Sequence, residues 1–174
     1  MCGAGDTHVI KAAYLRNAFN FARWPGDAFA SSTSRFEIGF VGKDEKLENS
    51  LRLAFEKLQY RVQDRSVRLT HHDTPEEFLE SQKNNGTSCH VLFLSSTEKE
   101  NLKSWVQACE KKPVLLISDH PDFQDFGGHV WITPNPKAKG RYIYNVHLPN
   151  LKSCNLRFTA EFLRLRSAVN VISK

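Results

Sequence analysis

The sequence predicts a single α/β domain with a mainly parallel central sheet, antiparallel strands at an edge and helices on both faces. Two short apolar runs, residues 90–94 and 114–117, flank an amphipathic segment at residues 101–110. Continuous apolar runs of this kind are typical of strands buried on both faces, as parallel strands are. Strand, helix and strand within about 30 residues form a βαβ unit, whose crossover is expected to be right-handed. A turn-rich stretch, residues 133–140, leads into an alternating strand at residues 142–146, which predicts the antiparallel edge.

The length of 174 residues fits one domain with a sizeable core. We assign residues 1–8 to a disordered tail and residues 9–174 to the domain. The first element is a helix over residues 9–22, because apolar side chains recur there at helical spacing until Trp24 and Pro25 end the pattern.

Three further elements precede the βαβ unit. Residues 36–41 alternate like a strand, and Asp44 is a suitable N-cap for an amphipathic helix over residues 45–58. Residues 61–69 alternate between polar and apolar side chains, which predicts a strand nearer an edge of the sheet. Thr74-Pro75 then opens another helix, with threonine at the N-cap and proline at the first helical position.

Two elements follow the unit. Residues 129–132 are predicted to form a strand after the flexible pair Gly127-Gly128. Residues 156–169 are predicted to close the chain as an amphipathic helix, because Phe158, Phe162, Leu165 and Val169 share one side at helical spacing.

Composition excludes several classes of protein. Hydrophobic residues at 40% and charged residues at 25% are typical of a folded globular chain, and no apolar run reaches the roughly 18 to 20 residues of a membrane helix. The net charge of +5 is spread among acidic residues, without a basic stripe interleaved with aromatics, so a solvated surface is favoured over nucleic-acid binding. Residues 1–6 lack the apolar segment of a signal peptide, which leaves a cytosolic protein or an exported one whose signal has been removed.

The four cysteines do not have the spacing of a zinc site. Cys89 opens the first strand of the βαβ unit and Cys109 closes its helix, which places both at the same edge of the sheet. A Cys89–Cys109 disulfide is therefore sterically reasonable and would contribute about 3 kcal/mol by loop closure. The alternative is two buried free thiols. Cys2 and Cys154 could pair with each other or stay free.

No catalytic constellation stands out, and no cofactor or metal is predicted. The nucleophile elbow of α/β hydrolases is absent, and adjacent His71 and His72 favour a solvated loop over a metal site. Ser95, Ser118 and Asp119 follow two parallel strands, where ligands bind in open α/β sheets. The alternative is that Asp119 caps the next turn and the serines only end their strands. The residues alone therefore favour a binding module over an enzyme.

Four blocks of the chain, in order, resemble the YfiR-like family. They are residues 9–25 (VIKAAYLRNAFNFARWP), 89–95 (CHVLFLS), 113–128 (PVLLISDHPDFQDFGG) and 156–165 (LRFTAEFLRL). The first is similar to the family's opening segment, the second to its "CHvLfig" strand and the third to its "pvLtvsD" block. Together they span nearly the whole chain.

The resemblance implies a small periplasmic α/β protein that is not an enzyme and whose signal peptide has been removed. It implies binding to the periplasmic domain of an inner-membrane diguanylate cyclase, or a related sensor protein, which it represses. Redox state and envelope stress are implied to release that repression, raising cyclic di-GMP and promoting biofilm formation. Family members are similar in forming homodimers and in having disulfides, although Cys109 and Cys154 match no family cysteine.

The chain departs from the family near the implied partner surface. Residues 144–148 (YNVHL) replace the family's "FeiNL", and Glu161 follows Thr159-Ala160 where the family has paired serines and glutamine. We therefore predict that Tyr144, Asn145 and Glu161 form an exposed partner-binding surface. The alternatives are a small-ligand sensor using the crevice near Ser95, Ser118 and Asp119, and an unrecognised enzyme acting there.

Overall fold

A computed structural model describes residues 4–84, 88–98 and 100–174 of the chain. Within these residues the strands form one seven-stranded sheet and a separate two-stranded one. In spatial order the large sheet contains β3 (Val67–His71), β2 (Phe36–Val41), β4 (Val91–Leu94), β5 (Leu115–Ser118), β6 (Val130–Pro134), β7 (Tyr142–His147) and β9 (Val169–Ile172). The small sheet pairs β1 (Ala22–Arg23) with β8 (Arg157–Phe158).

The mainly parallel α/β sheet is confirmed. The first five strands in the spatial order run parallel to one another, and β7 runs antiparallel to β6. The antiparallel edge is also confirmed, because β9 pairs with β7 in a parallel orientation and both strands therefore run antiparallel to the other five. β7 and β9 together form this edge.

Helices cover both faces of the sheet, as predicted. They are α1 (Ala4–Phe21), α2 (Glu45–Arg52), α3 (Pro75–Asn84), α4 (Leu102–Ala108), α5 (Leu148–Ser153) and α6 (Ala160–Leu163). Alternate residues of β4 enter opposite cores: Val91 and Phe93 pack on one face, and Leu92 and Leu94 pack on the other. Burial on both faces explains why this strand is a continuous apolar run. None of the helices in residues 4–84, 88–98 and 100–174 combines the length and apolar character needed to cross a bilayer.

The first helix begins at Ala4 instead of residue 9. The structure therefore places residues 4–8 of the predicted tail in α1, while residues 1–3, including Cys2, lie outside the described residues. Ala12, Leu15, Ala18 and Phe19 face the core from this helix. Because α1 crosses one face of the sheet, it can reach groups at the carboxyl ends of the strands.

The predicted C-terminal helix over residues 156–169 is wrong. The chain there forms β8, the single turn α6 and then β9. Phe158, Phe162 and Val169 are all buried, so the spacing identified core positions but not the backbone conformation. Strand pairing accounts for the difference: Val169 pairs with Tyr144, and β-branched residues suit a pleated surface.

The predicted strand over residues 61–69 also starts later than expected. Val62 and Arg65 close a tight turn by pairing with each other, and β3 begins only at Val67. Gln63 and Asp64 have φ angles of 51° and 62°, in the left-handed region that interrupts a strand. The predicted edge position of this strand is confirmed.

Candidate functional site

The carboxyl edge of the parallel strands brings Ser95, Ser118 and Asp119 together, as the sequence predicted. Ser118 Oγ donates to the Leu94 carbonyl oxygen at 2.5 Å, and Asp119 Oδ1 accepts from the Ser96 amide at 2.7 Å. Ser95 Oγ accepts from the Thr97 amide at 3.3 Å. Each predicted crevice residue therefore uses polar atoms to hold the strand ends. The serines agree with the alternative interpretation, whereas Asp119 accepts from Ser96 and Lys11 and does not cap the turn that follows it.

The side chain of Lys11, in α1, covers this edge of the sheet and bonds to Asp119. Its Nζ lies 2.5 Å from Asp119 Oδ2, and only 3% of the Asp119 side chain is exposed. Burial lowers the pKa of Lys11, but the charge and hydrogen bond of Asp119 outweigh it, so the pKa of Lys11 is raised. Sequence reasoning missed Lys11 because it stands on the polar side of the predicted helix. The available signal was that Lys11 and Asp119 each lie in a block that resembles the family.

The turn after β2, which begins at Gly42, is also tightly packed against neighbouring side chains. Gly42 has a φ of 102°, and a Cβ added there would lie 2.7 Å from Thr97 Oγ1 and 2.8 Å from Ser95 Cβ. Thr97 Oγ1 also accepts from the Lys43 amide at 2.8 Å. Asp44 caps α2 by accepting from the Leu47 amide, as predicted. A ligand at this crevice would have to displace these contacts, and the small-ligand interpretation stays a prediction.

The opposite, amino edge is organised by His90. Its Nδ1 accepts from the Glu37 amide at 3.0 Å, its Nε2 lies 3.0 Å from the Ala28 carbonyl oxygen, and its ring stacks on Phe29 at 4.1 Å. Trp24 Nε1 donates to the His90 carbonyl oxygen at 3.0 Å. Burial lowers the pKa of His90 to about 4. Trp24 and His90 are therefore structural anchors for the segment that follows α1.

Two of the three residues predicted to form the partner surface are not exposed. Tyr144 is 4% exposed and donates its hydroxyl to the Tyr14 carbonyl oxygen at 2.7 Å. Asn145 is buried within the sheet, where Nδ2 donates to Thr133 Oγ1 at 3.1 Å and Oδ1 accepts from Asn170 at 3.1 Å. The exposure predicted for both is wrong, because α1 covers one face of β7 and β9 lies beside it.

Glu161 is the exposed member of the predicted surface. It lies in the first turn of α6, which Thr159 caps by accepting from the Phe162 amide. Phe162 packs edge-on against Tyr144 with ring centroids 5.0 Å apart, so the buried tyrosine supports this turn from below. Arg164 and Leu165 are exposed beside it, and Leu165 is 45% exposed. We call Glu161, Arg164 and Leu165 the α6 surface.

The predicted Cys89–Cys109 disulfide is not formed. Cys89, Cys109 and Cys154 are all buried free thiols, which agrees with the alternative. Cys89 Sγ donates to the Val91 carbonyl oxygen at 2.9 Å, so its thiol is turned toward its own strand. Burial raises the pKa of Cys89, and it raises the pKa of Cys109 to about 12. These are unreactive core thiols in this structure.

The side chains of the adjacent residues His71 and His72 do not meet at a common site. His71 Nδ1 lies 2.9 Å from Glu48 Oε2, whereas His72 is buried with its ring edge-on to Phe78. In the part of the chain that the structure describes, no group of three or more His, Cys, Asp or Glu side chains is arranged to hold a metal ion.

Comparison with known proteins identifies a family to which the chain is similar. A family profile described as YfiR/HmsC-like matches residues 8–166. A crystal structure of a conserved domain protein from Vibrio cholerae O1 biovar El Tor strain N16961 has a similar fold, with a TM-score of 0.55 and 9% sequence identity. The similarity covers 79% of this chain and 54% of that one, so the chain spans about half of its length. No curated protein matches the chain.

Proposed function

Because the chain belongs to the YfiR/HmsC-like family, we propose that it is a non-enzymatic regulator that represses an inner-membrane diguanylate cyclase from the periplasm. The family is periplasmic, is regulatory rather than catalytic, and is known for regulating diguanylate cyclases. The observation that carries the proposal is the family match, which covers residues 8–166, from α1 to just beyond α6. The fold alone would not choose a function, because α/β sheets of this kind carry many.

The partner in this proposal is the periplasmic domain of the cyclase, and the contact is the α6 surface. An exposed leucine beside charges of both signs is a reasonable anchor, since apolar burial provides affinity and charges provide specificity. Tyr144 and Asn145 have supporting roles: the tyrosine holds Phe162 beneath the surface, and the asparagine joins β7 to β9. Loss of repression would raise cyclic di-GMP and promote biofilm formation.

Calorimetric titration of the purified chain with the periplasmic domain of a cyclase encoded beside it tests this proposal. We expect a dissociation constant of about 10 μM or lower, and we expect Glu161→Lys to weaken binding about tenfold, or about 1.4 kcal/mol. Glu76→Lys is a matched control, because Glu76 is also exposed in the first turn of a helix. The absence of binding at tens of micromolar would overturn the proposal, and equal effects of the two variants would remove the α6 surface from it.

The regulator is also proposed to act as a homodimer whose activity responds to envelope or redox state. Light scattering during size-exclusion chromatography measures the first property directly, with a mass near twice 19.9 kDa expected. Titrating the partner before and after prolonged treatment with a thiol oxidant measures the second. Because Cys89, Cys109 and Cys154 are buried, the oxidant has to act on Cys2 or, slowly, on a thiol that local opening exposes. A monomer at every concentration tested, or identical affinity after oxidation, contradicts the corresponding part.

A further inference from the structure

An open cavity of about 490 Å³ lies beyond the closed crevice at the same edge of the sheet. The β6–β7 turn forms one wall, α1 forms another, and the turn before β9 forms the third. Its lining residues are Tyr14, Asn135, Pro136, Lys137, Ala138, Arg141, Tyr142, Ile143, Arg166, Ser167 and Ala168. The volume lies within the range of about 300 to 1,000 Å³ that small-molecule sites occupy.

Three cations line this cavity without a counter-charge. The side chains of Lys137, Arg141 and Arg166 are exposed, and within residues 4–84, 88–98 and 100–174 none of them has a hydrogen-bond or ion-pair partner. No Asp or Glu of the described residues lines the cavity. Unpaired guanidinium groups facing a concave surface are suited to bidentate binding of an anion.

The part of the chain that supplies most of the cavity lining is rich in cations. Residues 134–174 contain eight Lys or Arg residues and a single acidic residue, Glu161, for a net charge of +7. The preceding 133 residues have a net charge of −2, so the small net charge of the whole chain conceals a strongly basic C-terminal part. Of these cations, Lys139 lies in the same turn as Lys137 and Arg141, and positive charge around a concave site raises the local concentration of anions there.

The remaining walls are aromatic or apolar. The rings of Tyr14 and Tyr142 meet edge-on with centroids 5.5 Å apart, and Pro136, Ile143 and Ala168 add apolar surface. A ligand that fits should therefore combine a negatively charged group with a ring or short apolar body. Three cations favour a charge near −2, which phosphate monoesters carry at neutral pH and a single carboxylate does not.

We propose that this cavity binds a small organic phosphate, with the phosphate among Lys137, Arg141 and Arg166 and the organic group against Tyr14. The phosphate belongs either to a free monoester or to the headgroup of an anionic phospholipid. The site uses no residue of the α6 surface, although Arg166 directly follows Leu165, and its test does not require the cyclase partner.

The test uses the full chain and phenyl phosphate as the probe, with phenol as the neutral comparison. Calorimetry should give a dissociation constant of about 1 mM or lower for phenyl phosphate, falling in affinity as salt is added, and no binding of phenol. The variant Lys137→Gln/Arg141→Gln/Arg166→Gln should bind at least tenfold more weakly. These exposed side chains make no internal bonds, so its circular dichroism and melting temperature should match the parent.

The matched control is Lys46→Gln/Lys57→Gln/Lys103→Gln, which removes three exposed cations from other helical segments and gives the same net charge. It should bind phenyl phosphate like the parent. Equal weakening in both triple variants, or no binding by the parent at millimolar concentration, overturns the proposal. Cosedimentation with phosphatidylglycerol vesicles identifies the source: loss in the cavity variant alone assigns the phosphate to a lipid headgroup. No cosedimentation by the parent assigns it to a free ester, and equal loss in both variants again overturns the site.

Discussion

His90 and His129 make the stability of this domain sensitive to mild acid. Each is about 3% exposed, and burial lowers the pKa of each to about 4, against about 6.5 in the unfolded chain. Between these values the unfolded state binds more protons, so their contribution is present above pH 6.5 and is lost as the pH falls toward 4. We expect the free energy of unfolding to fall by up to about 1.4 kcal/mol per pH unit for each histidine, measured by urea unfolding from pH 7 to 4.5.

Nuclear magnetic resonance separates these histidines from other titrating groups. The ring resonances of His90 and His129 should stay unchanged from pH 7 to 5.5 in the folded protein. The same residues in the urea-unfolded chain should titrate near 6.5. A folded-state midpoint near 6.5 for either residue would show that its burial does not control its protonation.

The pair formed by Lys11 and Asp119 should be a large single contribution to stability. Asp119→Ala removes the acceptor of Lys11 and of the Ser96 amide at a buried position. Breaking a buried ion pair by removing one partner costs about 3 to 5 kcal/mol, because the other charge is left uncompensated. Chemical unfolding measures the loss.

Asp122→Ala is the matched control for Asp119→Ala. Asp122 is exposed three residues later and loses the same charge, so we expect a change within about 0.5 kcal/mol. Similar losses in the two variants would mean that the ion pair does not stabilise the edge.

The described cysteines should resist modification in the folded protein. The thiolate is the reactive form, and burial raises the pKa of Cys89 and Cys109. In a Cys2→Ser variant we expect slow reaction with an aromatic disulfide reagent under native conditions and three equivalents after unfolding. Immediate reaction of one thiol, or fewer than three in the unfolded chain under non-reducing conditions, would contradict three buried free thiols.

At the scale of helices and strands, an element could be predicted where its pattern of apolar residues fitted only one conformation. The central unit of β4, α4 and β5 followed from runs whose every residue is buried, which leaves no competing interpretation. The C-terminal segment was mispredicted because three buried residues at helical spacing also fit a strand, a turn and another strand. Local spacing cannot show that β9 finds its partner in β7, about 25 residues earlier.

The turn between β2 and α2 offers a test at this scale. Gly42→Ala should destabilise the protein by about 2 to 4 kcal/mol, because its φ of 102° strains any side chain and its Cβ would overlap Thr97 and Ser95. Gly26→Ala is the control, since nothing lies within 4 Å of a Cβ there. Thermal and urea unfolding of both variants measure the difference, and equal stability would show that the turn relaxes freely.

At the scale of the whole molecule, the sequence predicted part of the candidate site. Ser95, Ser118 and Asp119 meet because neighbouring parallel strands end at the same edge, a rule that needs no side-chain detail. Closure of that edge by Lys11 depends on how α1 crosses the sheet, which hydrophobic spacing does not specify. The same packing buries Tyr144. The partner surface predicted from differences between this sequence and the family is therefore reduced to Glu161, and we extend it to the exposed neighbours of Glu161.

The contacts of α1 join distant parts of the chain. Lys11 bonds to Asp119 and Tyr14 to Tyr144, and Ala22 of β1, which directly follows the helix, pairs with Phe158. During synthesis the first helix is made early, but its partners appear only when nearly the whole chain is present. Folding that depends on contacts so far apart in sequence is slow, so a chain being made or transported lengthwise should stay unfolded until its last strands are available.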